Sequence, residues 1–456
     1  MMAYRVAFLS LCFFSVSTAL LKTNEIESTL YQDEGTVTEV KTSQENRYRR
    51  NLRPVEFDIN GEKAKLNLVL SKRKVFSPSA PIWLVRSHQG HTPNYTYELL
   101  KNVTIDITLT LHYQCQFITR LILLFQRKDI LDGDFYVDNK NKAVILVRYD
   151  HEKNTMLYDG VFGEGSARRI IHSLPENSKV RSKRANELNY NHIVYALPEV
   201  DELADSVFDT QQIVIERNGV LLDKLDVPLD TLYPKLLVVV DYHLFKLLGK
   251  DVTRTVRYIA TFWNIVDQKY ERLETPKVQV IVTGIVIVED EKALNFIYRS
   301  RNETEKADID QLMEYSRLYF SQDFVNDTSF KNYDAAILMT GLKMNLIEGF
   351  FEISGLAAKL GGICIRQYNV AIVTDSGAYR NTLIAIHELG HLLNLSHDFA
   401  DECNGISYLF GSLKTSVMSS PTNGSEIYWS DCSLRLLKEF STLKAAKCLA
   451  TRHRTM

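Results

Sequence analysis

The sequence predicts an α/β domain with a mixed, mainly parallel sheet over residues 233–456, preceded by a β-rich segment. Three observations predict it. From Pro234 onward, apolar strand-like runs alternate with stretches of helical spacing. One such strand runs directly into a helix that carries paired histidines. Residues 20–184 carry strand-like patterns.

Taken in order, Lys65–Leu70 alternates apolar and polar residues, and Val103–Tyr113 is rich in Thr, Ile, Val and Leu. Residues 185–232 hold one strand candidate, Gln212–Glu216, among acidic positions such as Asp201, Glu202, Asp205 and Asp209. A linker, more of the preceding segment and an N-terminal extension of the α/β domain all stay open for this stretch. Leu236–Asp241 then reads as a buried strand, and Val252–Leu273 has helical spacing at Val256, Ile259, Phe262, Trp263 and Val266. Val278–Val288 is a second strand, Asp308–Gln322 a helix, and Ala335–Thr340 and Val370–Thr374 two further strands. The last helix spans roughly Ser433–Lys444.

Composition is that of a globular chain: 456 residues, 45% hydrophobic, 24% charged, with a formal net charge of −2. Near-neutral charge argues against broad electrostatic binding to nucleic acid or to an anionic membrane. No stretch reaches the ~18 continuous apolar residues of a spanning helix, so no stable membrane association is expected.

The N-terminus reads as a secretory signal, residues 1–19. Arg5 precedes an apolar run from Val6 to Phe14, and Ser17 and Ala19 suit a cut after Ala19. An extracellular location agrees with the cysteines. Cys12 leaves with the signal; four of the remaining five, Cys364, Cys403, Cys432 and Cys448, lie in the last hundred residues. Sequons at Asn94, Asn102, Asn302, Asn326 and Asn423 are candidate glycan sites; Asn394 also lies in one but is expected to stay unmodified. Arg181-Ser-Lys-Arg184 has the spacing read by furin-like proprotein convertases, and Arg47-Tyr-Arg-Arg50 has the same form. Residues 20–184 are therefore expected to be a propeptide removed after Arg184.

The chemistry is carried by His387-Glu-Leu-Gly-His391-Leu-Leu-Asn394-Leu-Ser-His397-Asp398. Helical residues four apart lie about 40° from one another around the axis, so His387 and His391 reach one metal ion. Glu388 points close to the same site. Ile386, Leu389 and Leu393 give the helix a core face. Six residues of continuous helix would turn His397 away, so a bend is needed, and Asn394 sits at the midpoint. Asn tolerates the left-handed backbone at modest cost. Three neutral imidazoles leave the fourth position of a tetrahedral Zn2+ to water, the open geometry of a catalytic site, with Glu388 as the general base. Ser416-Val-Met418-Ser-Ser nearby is a candidate tight turn.

This string resembles the elongated zinc motif of the metzincin metalloproteases, and Asp398 after the third histidine resembles the reprolysin (adamalysin) branch. Gly362-Ile-Cys364, Tyr428-Trp-Ser-Asp-Cys432-Ser and Cys448-Leu449 resemble further segments of that branch. The sparse cysteines and the long 185–232 region are similar to tick salivary metalloproteases. The resemblance covers roughly Pro234–Leu449. It implies a metzincin-like catalytic domain that hydrolyses peptide bonds in extracellular proteins through a zinc-bound water activated by Glu388.

The resemblance further implies that Met418 floors the zinc site without binding it, that Asp398 braces the turn, and that substrate lies along an edge strand near Gly361–Arg366. By the same analogy the disulfides are Cys364–Cys448 and Cys403–Cys432; spacing alone leaves all three pairings open. Three departures stand out. Asn394 replaces the family's Gly, Val417 replaces a cysteine before Met418, and the sequence ends at Met456 with no disintegrin or cysteine-rich region. Cys115, the one propeptide cysteine, lacks the family's flanking residues, so burial or pairing with another chain is favoured over a role as a zinc-blocking thiolate. The alternative reading is a zinc-binding pseudoprotease that acts as a protein binder.

Overall fold

A computed structural model of the chain describes residues 36–38, 40–42, 52–59, 62–76, 80–87, 95–99, 130–151, 155–163, 167–173, 192–196, 205–207, 223–301, 306–323, 333–345, 352–398, 403, 416–419 and 428–452. The expected strands at 103–113 and 212–216, the signal peptide, both basic clusters including Arg181, Lys183 and Arg184, Cys115 and the five candidate glycan sites lie outside these residues.

In chain order the first strands are β1 (Thr36–Thr38), β2 (Val40–Thr42), β3 (Leu52–Ile59), β4 (Glu62–Leu70), β5 (Ile82–Ser87) and β6 (Tyr95–Leu99). They are followed by β7 (Gly133–Asp138), β8 (Ala143–Asp150), β9 (Thr155–Phe162), β10 (Arg169–Ser173), β11 (His192–Ala196) and β12 (Asp205–Val207). The C-terminal part adds β13 (Thr231–Leu232), β14 (Lys235–Val240), β15 (Lys277–Val278), β16 (Ile281–Val288), β17 (Ala307–Asp308), β18 (Ala335–Thr340), β19 (Met344–Asn345), β20 (Glu352–Ile353), β21 (Gly355–Ala357) and β22 (Val370–Thr374).

Two large sheets result. Nine strands in the order β1-β11-β10-β9-β8-β7-β4-β3-β2 form an antiparallel N-terminal sheet. Eight strands in the order β12-β21-β22-β18-β14-β16-β5-β6 form the second sheet, which carries the histidine helix. Its interior pairs β22–β18, β18–β14, β14–β16 and β16–β5 are all parallel; β21 runs antiparallel to β22. A mixed, mainly parallel sheet is what the alternating strands and helices predicted.

Parallel strands covered on both faces read as continuous apolar runs, and here every residue of β14 and β18 is buried. Alternation within the run still sorts side chains by face. Leu236, Val238 and Val240 join one apolar cluster with Val256, Phe262 and Trp263 of the helix Val252–Tyr270 and Leu389 of the helix Thr382–Leu392. Leu237 and Val239 join the opposite cluster with Leu312 and Met313 of the helix Ile309–Leu318. Asp241, Asp251 and Asp308 cap the helices that begin just after them, each accepting from a backbone N–H three residues on.

Strand β5 extends this sheet from a distant part of the chain. Ile82–Val85 pair in register with Ile285–Val288, and all four side chains of Ile82–Val85 are buried. Arg73, just upstream, forms a two-pronged ion pair with buried Asp267, both contacts at 2.5 Å, and donates to the Val278 carbonyl at 2.6 Å. The sequence reading did not single out β5, because six residues with one arginine carry little periodic signal.

The first strand of the α/β alternation starts one residue earlier than expected, at Lys235. Its ammonium is buried, 2.8 Å from Asp334 Oδ2, and donates to the carbonyls of Tyr233 (3.2 Å), Cys448 (3.0 Å) and Thr451 (3.0 Å). The start of β14, the start of β18 and the C-terminal segment thus meet on one internal charge. Removing one member of a buried pair strands the other, at about 3–5 kcal/mol. Lys235→Met should lower the unfolding free energy in urea by that amount. A loss under about 1 kcal/mol would mean that the ammonium is not held as described.

Candidate active site

The helix Thr382–Leu392 begins after a loop that leaves the end of β22. That loop is pinned from below. Tyr258 of the long helix donates its hydroxyl to buried Asp375 Oδ2 at 2.5 Å, accepts from the Tyr379 backbone N–H at 2.8 Å, and stacks its ring on that of Tyr379 at 4.5 Å. Burial is the main reason that the Asp375 carboxyl is raised to about 6, with the Tyr258 hydrogen bond opposing the shift. Burial also raises the Tyr258 hydroxyl, helped by the charge of Asp375. Farther along, Tyr270 donates to the Ile386 carbonyl at 2.8 Å.

His387 and His391 project from this helix at the expected spacing, and both are buried. The helix ends at Leu392, and the chain turns through a left-handed residue, Asn394, with φ +73. The turn does two things. It carries His397 back, so that His387 Nε2 and His397 Nε2 face each other at 3.2 Å. It also presents the Leu395 carbonyl to His391 Nδ1, 2.7 Å away. His387 Nδ1 meets the Val417 carbonyl at 2.7 Å. A carbonyl only accepts, so both Nδ1 atoms carry the proton and both Nε2 atoms are left as lone-pair donors. Backbone carbonyls that orient ligand histidines in this way raise their basicity.

The three histidines form the one group of three or more candidate ligands among the described residues, with one ligand atom from each lying within 4.8 Å of the others. Two nitrogens bound to tetrahedral zinc at ~2.0–2.1 Å lie about 3.3–3.4 Å apart, close to the observed 3.2 Å. Three converging imidazoles, two of them with tautomers set by backbone carbonyls, therefore fit a zinc ion that keeps one open position. Glu388, buried one residue after His387, flanks it.

The surroundings are built around the same few atoms. Met418 packs beneath the helix at Gly390, where a β-carbon would lie 2.8 Å from its sulfur. Asp398 is buried and sits apart from the histidine group. Its carboxylate accepts from Ser416 and from Ser430 (2.5 Å), and its backbone N–H donates to the Met418 carbonyl at 3.0 Å. Ser430 in turn caps the helix Asp431–Phe440. The disulfides are Cys364–Cys448 and Cys403–Cys432. Ser416, Ser430 and Val417 lie in segments quoted from sequence, but their hydrogen-bonding roles were not read there. A serine has many structural uses, and a backbone carbonyl has no residue signature.

One expectation is corrected. Gly361–Arg366 is not a strand. Gly361 takes a left-handed φ of +66 and its N–H donates to the His391 carbonyl, and Gly362–Cys364 is a short 3-10 turn tied to the C-terminus by its disulfide. The strand beside the histidine helix is β21, Gly355–Ala357, the last of the catalytic core before β12. A β-carbon at Gly355 would lie 2.4 Å from Glu388 Oε1, so the backbone of β21 runs against the catalytic carboxylate.

Two outcomes follow. Valine is strongly disfavoured at positive φ, whereas glycine is at ease there. Asn394→Val should strain the turn by about 1–2 kcal/mol and lower bound zinc in metal analysis of the purified protein, while Asn394→Gly should keep zinc. Equal zinc in both would show that the left-handed turn does not set the metal site. Asp375 binds its proton more tightly folded than unfolded, from 3.8 to about 6. Its stabilising contribution is therefore complete below about pH 4 and is lost as pH rises through about 6. The stability difference between wild type and Asp375→Asn should shift against the wild type by about 3 kcal/mol across that window, and a flat difference would contradict the shift.

Comparison with known proteins agrees with this site. The family model described as "Reprolysin (M12B) family zinc metalloprotease" matches residues 232–452. Venom metalloproteinase 2 of Eulophus pennicornis is 36% identical over 299 residues, 65% of this chain and 68% of its own length. Venom metalloproteinase 3 of the same organism is 34% identical over 315 residues, 68% of this chain and 71% of its own length. A Bombyx mori protein described as "A disintegrin and metalloproteinase with thrombospondin motifs like" is 25% identical over 375 residues, 70% of this chain and 53% of its own length. With its three histidines converging and Glu388 beside them, the chain belongs to the reprolysin family of zinc metalloproteases.

Proposed function

We propose that this metalloendopeptidase is a secreted proenzyme that cleaves extracellular proteins, released by a furin-like convertase acting after Arg184. The observation that carries the peptidase reading is the convergence of His387, His391 and His397 beside buried Glu388, with the backbone of β21 against that carboxylate. The three histidines would hold the ion through Nε2. When bound, zinc polarises a scissile carbonyl and acidifies a water molecule. Glu388 takes the proton of that water on its carboxylate and passes it to the departing amine. Met418 supports the helix from beneath, Asp398 ties the turn to the C-terminal helix, and Asn394 sets the bend.

Secretion is supported by the signal-like residues 1–19, by two disulfides, and by the fact that no helix among the described residues is long and apolar enough to cross a membrane. Residues 20–184 are read as the propeptide and 233–456 as the catalytic domain. The finer likeness to tick salivary metalloproteases rests on sparse cysteines and the 185–232 stretch alone. The binder alternative drew on Asn394 and on the missing cysteine before Met418; the first motive weakens because Asn394 adopts the backbone that the bend requires.

Glu388→Ala should lower cleavage of a protein substrate by about 10²–10⁴-fold while zinc content stays at one ion per chain. Zinc bound in the wild-type protein with no cleavage by any processed form, including forms in which residues 205–207 are displaced, would favour the binder.

A further inference from the structure

The substrate edge of the catalytic sheet is not bare. Strand β21 is the last strand of the α/β core on the side of Glu388, and an extended peptide adds to such an edge through main-chain hydrogen bonds. In this structure that place is taken by β12. Asp205 pairs with Gly355, Ser206 with Leu356 and Val207 with Ala357, in parallel register. Gly355 is the residue whose backbone abuts Glu388 Oε1. The occupant therefore reaches the catalytic carboxylate's own strand position, and among the described residues β12 has no neighbour on its outer side in the sheet.

The position of this segment in the chain gives the contact its meaning. Asp205–Val207 lie on the carboxyl-terminal side of Arg181-Ser-Lys-Arg184. A cut after Arg184 leaves them covalently joined to the enzyme through residues 208–232, and β13 and Lys224 anchor the end of that stretch to the catalytic part by pairing with β15 and Leu443. Release of residues 20–184 thus does not by itself clear the edge, because the blocking strand is tethered and competes with substrate within one molecule.

We propose that residues 205–207 are a built-in occupant of the substrate edge, so that processing at Arg184 yields a form that is still latent and full activity requires loss or displacement of this strand. The proposal rests on the peptidase reading above, and it names residues 205–207 as a second inhibitory element on the carboxyl-terminal side of Arg184.

The test uses the full-length secreted chain, cut with a convertase and checked by mass spectrometry. Successive residues of a strand point their N–H groups to opposite sides, so either Ser206 or its neighbours bond to β21. Ser206→Pro and Val207→Pro together cover both cases, since proline has no N–H to donate. Two readouts are compared with wild type: hydrogen exchange of the Gly355–Ala357 amides, and cleavage of an unfolded protein substrate. In at least one variant the proposal expects faster exchange and about a tenfold rise in cleavage, the scale of one or two lost main-chain hydrogen bonds. Unchanged exchange in both variants overturns it while leaving the peptidase reading intact. Faster exchange without more cleavage, in a wild type already active with residues 205–207 attached, also overturns it. Absence of cleavage from every form overturns the peptidase reading and this proposal with it.

Discussion

The site depends on one residue in a left-handed conformation. Asn394 ends the histidine helix and reverses the chain within three residues, and two consequences follow from the one turn. His397 comes round to face His387, and the Leu395 carbonyl becomes the partner of His391. Were the helix to continue, the third imidazole would point away and the second would lose the acceptor that sets its tautomer. Glycine would meet the backbone demand without strain. Asparagine is the cheapest alternative with a side chain, and its amide packs over Gly361, the other left-handed residue at this corner.

Around that turn, each constraint is used more than once. The segment 416–419 lays Met418 under Gly390, gives the Val417 carbonyl to His387 and sends Ser416 to Asp398. Asp398 gathers Ser416 and Ser430, and so joins the histidine turn to the cap of the last helix. Buried polar groups that are satisfied in this way fix a single arrangement, because every alternative leaves a charge or a carbonyl stranded. At the start of β14, Lys235 does the same for the C-terminal segment.

The legible parts of the sequence were those with local signatures. Buried strands such as Ala335–Thr340 and Val370–Thr374 are plain apolar runs, and their observed bounds coincide with the expected ones. The histidine pair announces itself by a spacing of four on a helix, and the bend by an asparagine where the chain has to turn. Boundaries drifted where caps decide them. The last helix starts at Asp431, after Ser430, and gives way to a 3-10 segment that helical periodicity does not distinguish. What stayed hidden depends on distant pairing. β5 reads as a short apolar run of no particular destination, and β12 as three residues in a polar stretch, until the sheet places them. The edge strand was misplaced because Gly361–Arg366 lies close in sequence to β22, whereas β21, with only three residues, shows no alternation to read.

Strand β5 also bears on the order in which the molecule can be assembled. It is buried on both faces of a sheet whose next strand, β16, lies roughly two hundred residues later. During synthesis Ile82–Val85 can pair on one edge with nearby β6, but the other edge must wait, apolar and open, while most of the intervening chain is made. The long loop that closes on this pairing makes sheet completion a late, slow event, and the N-terminal half of the translation product is a partner in forming the enzyme's interior rather than a leader that could be shed before folding is done.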